Sequence, residues 1–474
     1  MRTVTLTGAS GYIGLRMIPR LIERGFNVRC VVRDPEYLLS RPFSKNIEIV
    51  KADFTSTENI DKVFENAEAA YYLIHSMNDS ERFENIEKIC AENFSVYAKK
   101  HGIKKIIYLG GLSSNKKNIS RHIESRILVG NTLRNYNKNV TEFRAGIIIG
   151  SGSVSFEMIR YTAQRLPFLP YIKQLDSLCE PIAIRDVLSY LIEAIDNSDS
   201  DSKIIEIGGP DILKYIDMLK IYLKIRGIKK PILRCPINNP HFCARIISSL
   251  SPIPYNISEA LLESLKNQTI KTSDLAEKIF PDIKPIDYET QVKYALRRIV
   301  GNDIESIWTT SYIPHYIKKN KTLSESQGMI MISYSVKISS TPEKIFSVIK
   351  SIGGKNGYFY LNFLWKLRAL LDKFLGGVGM RNGRRNLNDI HPGETIDFWR
   401  VENIKENSLF LLRSEMRMHG RGWLKFEITD DNKLLLTAYF EPEGLLGYLY
   451  WYALVPVHKI LFKGMLKRIN RLAV

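Results

Sequence analysis

One octapeptide constrains this chain more than any other part of it. Thr7-Gly8-Ala9-Ser10-Gly11-Tyr12-Ile13-Gly14 follows a β-branched run at Arg2–Leu6 and opens an amphipathic stretch at Ile13–Glu23. Glycines three residues apart between a strand and a helix make a tight turn that side chains would obstruct. Gly8 permits the turn, Gly11 lets backbone approach a bound anion, and Gly14 lets helix and strand pack closely. The helix beginning there offers unpaired N–H groups and a positive dipole end to the same point.

The surrounding pattern supplies the setting that such a turn requires. Short β-branched runs at Asn27–Val32, Ile47–Lys51, Ala69–Ile74, Lys104–Leu109, Val140–Ile147 and Ser202–Ile207 alternate with helical stretches such as Ser80–His101. That alternation predicts an α/β fold with a doubly wound parallel sheet covered by helices. Residues 211–310 read as mostly helical, broken by Pro231, Pro236, Pro240, Pro252 and Pro254. A chain of 474 residues is too long for one core, so a second domain is expected. We place the first domain at 1–310, a polar linker containing KKNKTLSESQ at 311–328, and the second domain at 329–474.

The second domain has a different period. From Met329 to Ser339 the even positions are apolar and the odd ones from Ser333 on are polar, the signature of a strand buried on one face. Ser340-Thr341-Pro342-Glu343 reads as a helix start capped by the Ser340 hydroxyl. Residues 361–375 form an amphipathic helix, strand-like runs fill 394–441, and a long apolar helix starts near Leu445. Gly447, Pro456, His458 and Lys459 interrupt that last stretch, and a membrane span needs about 20 apolar residues. A helix buried in, or lining, the domain is the expectation. The order of elements suggests a curved sheet folded round this helix in a smaller α+β domain.

Mature nucleotide recognition depends on what stands at the strand tips. An acid at the end of the second strand accepts hydrogen bonds from a ribose 2′-OH, whereas a guanidinium pairs with a 2′-phosphate. Arg33 stands there and favours NADP(H) over NAD(H), although the neighbouring Asp34 would reverse this if the register shifted by one. Asp53, ending the third strand, is placed either at the adenine edge or as a loop acid. The cofactor-binding set is therefore Gly8, Ser10, Gly11, Tyr12, Ile13, Gly14, Arg33 and Asp53, with His75 after the fourth strand either near the cofactor or bonded within its loop.

Through TGASGYIG, VVRDP, KADF, YYLIHSM, IIYLGGLSS, PIAIRDV and IGGPD, residues 1–300 resemble the short-chain dehydrogenase/reductase superfamily, in particular its extended or atypical, NmrA-like members. The whole chain is similar to bacterial two-domain proteins that join such a half to an uncharacterised START-like domain, which implies a helix-grip fold for the second domain. The resemblance implies catalysis by a Ser after the fifth strand and a Tyr-x-x-x-Lys pair on the next helix. Ser113 matches the first, and Ser114 follows it, but His122-x-x-x-Arg126 occupies the spacing of the pair. Two outcomes stay open. His122 and Arg126 substitute for the pair, since residues four apart share a helical face and an imidazole offers a proton. Otherwise the pair is lost, and the protein senses its nucleotide instead of turning it over.

The remaining features narrow the class. The five cysteines, Cys30, Cys90, Cys179, Cys235 and Cys243, form no CxxC pair, so neither a disulfide framework nor a metal site is expected and a reducing cytoplasm is. The chain opens on a strand, and no signal peptide is expected. A net charge of +18 is spread along the chain, with 22 basic against 14 acidic residues over 325–474. It favours anionic partners in general, including peripheral membrane contact. No RNP-like signature points to nucleic acid. The glycine- and arginine-rich run Gly376–Arg385 is either an anion cradle or a solvated connection, and Arg144, Arg185 and Asp186 either face the substrate cleft or, the favoured reading, form structural ion pairs. Trp365, Trp399, Trp423 and Trp451 are core residues or, in a START-like domain, cavity walls. Subunit number is not set by the sequence. The expected protein is an NAD(P)H-binding, reductase-like oxidoreductase acting on or sensing a hydrophobic small molecule. The alternative is a non-catalytic NADP(H) sensor, assembly factor or lipid binder.

Overall fold

The computed structural model describes residues 2–39, 42–75, 83–114, 119–234, 239–250, 253, 255–300, 323–326, 328–374, 377–380, 390–429 and 431–473. Ser76, Cys235, Pro236, Pro252, Pro254, Gly376, Arg381–Arg385 and most of the 311–328 linker lie outside them. The chain divides into two compact units: Met1–Ala163 with Phe168–Ile317, and Gln164–Pro167 with Lys318–Val474.

The first unit is built on seven strands: β1 (Thr3–Thr7), β2 (Asn27–Val32), β3 (Ile47–Lys51), β4 (Ala69–Tyr72), β5 (Lys105–Gly111), β6 (Val140–Ala145) and β7 (Ile204–Ile207). Their spatial order is β7-β6-β5-β4-β1-β2-β3, parallel throughout. The order reverses between β1 and β4, and this switch point opens a crevice at the carboxyl ends of the strands. The strands lie within two residues of the runs read from sequence because both sheet faces are covered. Val4 and Leu6 face one layer and Thr5 and Thr7 the other, all fully buried or nearly so. Buried threonines need partners. Thr5 donates to Val63 O at 2.7 Å and Thr7 to Tyr71 O at 2.8 Å, the latter tying the tip of β1 to β4.

The helices that matter for the crevice are α1 (Tyr12–Glu23), α2 (Phe83–Lys100), α3 (Arg121–Tyr136) and α4 (Tyr255–Ser264). One core joins β1, β2 and α1 through Leu15, Met17, Ile18 and Leu21; another packs α2 on the opposite face through Ala91, Phe94 and Ala98.

The second unit is a seven-stranded antiparallel sheet: β8 (Leu323–Ser326), β9 (Met329–Lys337), β10 (Thr395–Ile396), β11 (Trp399–Lys405), β12 (Leu409–Ser414), β13 (Gly420–Thr429) and β14 (Lys433–Pro442). The order is β8-β9-β14-β13-β12-β11-β10. Its helices are α5 (Pro342–Lys350), α6 (Asn362–Phe374) and α7 (Gly444–Leu472). Trp451, Leu461, Phe462, Met465, Leu466 and Ile469 of α7 are buried in the core that the sheet forms. Two details differ from the sequence reading. Leu323–Ser326, read as linker, is an edge strand paired with β9, because ladder bonds use backbone groups and an edge tolerates polar side chains. The residue capping α5 is Thr341, not Ser340, with Pro342 in the first turn and no side-chain cap bond.

Candidate active site

The crevice at the switch point is a cavity of about 700 Å³. Gly8, Ser10, Gly11, Tyr12, Ile13, Gly14, Arg33, Asp53 and His75 all line it, as do His122 and Arg126. Ser113 lies next to the lining residue Leu112 but is not itself part of the wall.

The floor is the glycine turn. Gly11 N donates to Gly8 O at 2.9 Å and closes it. Gly8 has φ +68°, and a Cβ there would lie 2.5 Å from Leu73 O. A Cβ on Gly14 would lie 2.3 Å from Gly8 O and 2.8 Å from Ala9 Cα. Helix and turn are therefore in backbone contact, which only glycine allows. The first turn of α1 lines the cavity and its N-cap residue, Gly11, makes no side-chain cap bond, a setting that suits a diphosphate. Arg33 is exposed at the rim, and Asp34 is not among the lining residues. Asp53 Oδ1 accepts from Thr55 N and Thr55 Oγ1, each at 2.9 Å. The residues present thus fit a dinucleotide: turn and helix end for the diphosphate, Arg33 and Asp53 at one end of the cavity, and two histidines on the opposite wall.

Those histidines join a network in which Glu87, Ser125 and Arg126 are buried, His75 is exposed and His122 half-buried. His75 Nδ1 lies 2.6 Å from Glu87 Oε1 and 3.0 Å from Arg126 Nη1. The shorter contact assigns the Nδ1 proton to the bond with Glu87, which leaves Nε2 as an acceptor. Ser125 Oγ donates to the other Glu87 oxygen. Arg126 gives Nη2 to Leu109 O at 2.8 Å and Nη1 to Ile74 O at 3.4 Å, with Glu87 at 3.5 Å. Its guanidinium is spent on the ends of β4 and β5. It ties the wall together from within while still lining the cavity.

His122, in the first turn of α3, has its ring centroid 5.1 Å from that of His75, tilted by 44°, and makes no hydrogen bond to another described residue. Burial, then the neighbouring His75 and Arg126, push it down to about 3, so it is neutral at pH 7. Burial and Arg126 also lower His75 against the opposing pull of Glu87. Burial pushes the Glu87 carboxyl up, but the His75 bond, the Arg126 charge and Ser125 prevail and hold it well below the carboxylate range. A neutral imidazole beside a carboxylate-held partner can polarise a substrate oxygen without carrying charge itself.

Glu87 went unread in the sequence, yet a signal was there. It stands three, four and seven residues before Cys90, Ala91 and Phe94, on the buried face of α2. The apolar wall of Ile147, Ile148, Val154, Ile257 and Leu261 comes from segments over a hundred residues apart, and nothing local announces it. Ser114 Oγ is occupied by Ile270 O at 2.7 Å and Ile270 N at 3.0 Å. Arg144 pairs with Glu142 at 2.7 Å and Arg185 with Asp186 at 3.1 Å, as structural ion pairs. Among the described residues, no group of three or more His, Cys, Asp or Glu could hold a metal ion.

The anion cradle read at Gly376–Arg385 is filled from within over its described part. Asp372 is fully buried, and its carboxylate accepts from Gly379 N at 2.9 Å and Arg417 N at 2.7 Å. The tryptophans pack as core. Trp365 stacks on Tyr358 at 4.5 Å and Trp451 on Phe440 at 4.7 Å.

Fold, switch-point cavity and glycine turn together define a dinucleotide-binding Rossmann domain. Comparison with known proteins agrees and adds detail. Residues 8–145 match the NAD(P)H-binding family, and residues 333–465 match a protein of unknown function (DUF2867). Over 83 residues, 16% of its length, the chain is 37% identical to dihydroflavonol 4-reductase of Dianthus caryophyllus, spanning 23% of that relative. Over 289 residues it is 22% identical to the chloroplastic divinyl chlorophyllide a 8-vinyl-reductase of Arabidopsis thaliana, covering 54% of this chain and 65% of that one. The Citrobacter sp. triphenylmethane reductase structure, 15% identical, superposes with a TM-score of 0.51 over 63% of this chain and all of that one, which shows the fold. The first unit therefore has a Rossmann fold whose residues 8–145 match the NAD(P)H-binding family.

Proposed function

We propose that this protein is an NADP(H)-dependent reductase of a hydrophobic small molecule, with His122 as the group that polarises the reacting oxygen. One observation carries the reading: a single cavity runs from the glycine turn past His122 to the apolar wall of Ile147, Ile148, Val154, Ile257 and Leu261. Gly8–Gly14 and the first amides of α1 would hold the diphosphate, and Arg33 would pair with a 2′-phosphate. When bound, the nicotinamide supplies a hydride. The chain supplies the rest: an apolar pocket that excludes water, and an imidazole N–H for the charge developing on substrate. His75, fixed by Glu87 and Arg126, positions the His122 ring. Ser113, outside the wall, takes no part in this reading.

The second unit, with its antiparallel sheet and long closing helix, supports a helix-grip, START-like reading in which it binds an apolar ligand. A reducing cytoplasm suits the free thiols of Cys30, Cys90 and Cys179. The test is NADPH oxidation, followed optically, against carbonyl, enone and quinone substrates. Turnover with one class, and loss of about a hundredfold or more in His122→Ala with NADPH affinity retained, is expected. A second reading, a non-catalytic nucleotide sensor, is favoured by the engagement of Arg126 with backbone acceptors. NADPH binding with no turnover on any class, unaffected by His122→Ala, would establish it.

A further inference from the structure

Helix α6 is apolar on two opposite sides. Trp365, Ala369 and Asp372 face inward and are buried. Phe363 is 62% exposed, Leu367 50%, Leu370 60%, Leu371 54% and Phe374 91%. At about 100° per residue, these five share one arc opposite the buried three, in a stripe about 16 Å long. Single exposed leucines are ordinary on a soluble surface; an uninterrupted stripe is not. The start of the adjoining helix is also apolar and exposed. Arg368 Nε lies 3.3 Å from Tyr450 OH, bringing α6 against α7, where Leu446 and Leu449 are each 59% exposed.

The exposed charges that α6 itself places beside the stripe are of one sign. Lys366 and Lys373 are exposed along one margin and Arg368 lies on the other. The single acid of α6, Asp372, is fully buried and bonded to backbone amides, so it presents no negative charge outward. Apolar side chains margined by cations are the arrangement of a helix that lies in the interfacial plane of a bilayer. We infer that α6, with the start of α7, docks this protein onto an anionic lipid surface. Charge decides against a second copy as the occupant, since a twofold contact would set Lys366 and Lys373 against their own kind on a chain of net charge +18. Helix α7 is long and apolar enough to cross a membrane by length and composition. Its Trp451, Leu461, Phe462, Met465, Leu466 and Ile469 are nevertheless core residues, so insertion would dismantle the domain, whereas surface docking leaves it intact.

The test is cosedimentation of the full-length protein with sucrose-loaded vesicles. One set contains equal parts of phosphatidylglycerol and phosphatidylcholine, the other phosphatidylcholine alone. Binding to the first set, weakening as salt rises, is expected. Joint Leu370→Glu and Leu371→Glu substitution should lower it at least about tenfold, and each of Lys366→Ala and Lys373→Ala roughly fivefold. All four positions are exposed, and unchanged melting and NADPH binding verify that the variants fold. Three results would overturn the inference: equal retention on both vesicle sets, dimerisation by light scattering that the glutamate variant abolishes, or membrane association that resists alkaline extraction, which means a spanning α7.

Discussion

Replacing Gly14 by Ala sets two effects of opposite sign against each other. Alanine in a helix is worth up to about 1 kcal/mol over glycine, so on propensity alone the variant should gain stability. The structure reverses this. The new Cβ would lie 2.3 Å from Gly8 O and 2.8 Å from Ala9 Cα, both backbone atoms. Ordinary carbon–oxygen contact is about 1 Å longer, so helix and turn must separate by roughly that much, and overpacking of this kind costs about 1–3 kcal/mol. The net expectation is a loss of about 1–2 kcal/mol, a fall in Tm of roughly 2–3 °C for a unit this size. The turn is also the proposed diphosphate seat, and losing one charge-assisted hydrogen bond there weakens NADPH binding at least about tenfold. Thermal melting and a fluorescence titration with NADPH read the two effects. Gly25→Ala is the control, since Gly25 has φ +81° with nothing within 4 Å of its Cβ position. It should cost about 1 kcal/mol of backbone strain and leave affinity alone. If Gly14→Ala melts at or above the parent and binds NADPH equally well, the contact argument and the site assignment both fail.

Three further outcomes follow from the same network and rim. Folded His122 titrates near 3 and unfolded histidine near 6.5, so the unfolded chain binds more protons between these values. Stability is then complete above about pH 6.5 and falls as pH drops towards 3, by at most about 2 kcal/mol between pH 7.5 and 5. Urea titrations of His122→Asn should show a flatter profile over that range. Glu87→Gln leaves the buried Arg126 without its carboxylate and should cost about 3 kcal/mol in urea unfolding, whereas a loss under 1 kcal/mol would mean the network carries little. Arg33→Ala should weaken NADPH roughly tenfold while leaving NADH within about twofold; equal losses would mean that Arg33 contacts no 2′-phosphate.

Much of the fold was legible because it follows from local rules. A parallel sheet buried on both faces needs runs such as Val28–Val32, and a half-buried antiparallel strand needs the alternation of Ile330, Ile332 and Tyr334. Both patterns are visible without neighbours. Linker and strand at Leu323–Ser326 could not be separated in this way, because edge pairing depends on where a partner's backbone lies. Cap identity at Thr341 likewise turned on backbone angles instead of residue type.

The sequence by itself determined the glycine turn and its place between a strand and a helix, since steric exclusion of Cβ acts over a few residues. It also placed Arg33 and His122 at strand and helix ends facing one crevice. Only the tertiary structure decided what those residues are free to do. Glu87 comes from a different helix to hold His75, Arg126 is drawn to the carbonyls of Ile74 and Leu109, and Ile257 and Leu261 arrive from the distant α4 to close the apolar wall. Desolvation and hydrogen bonding depend on everything within a few ångströms in space, and chain order does not record that neighbourhood.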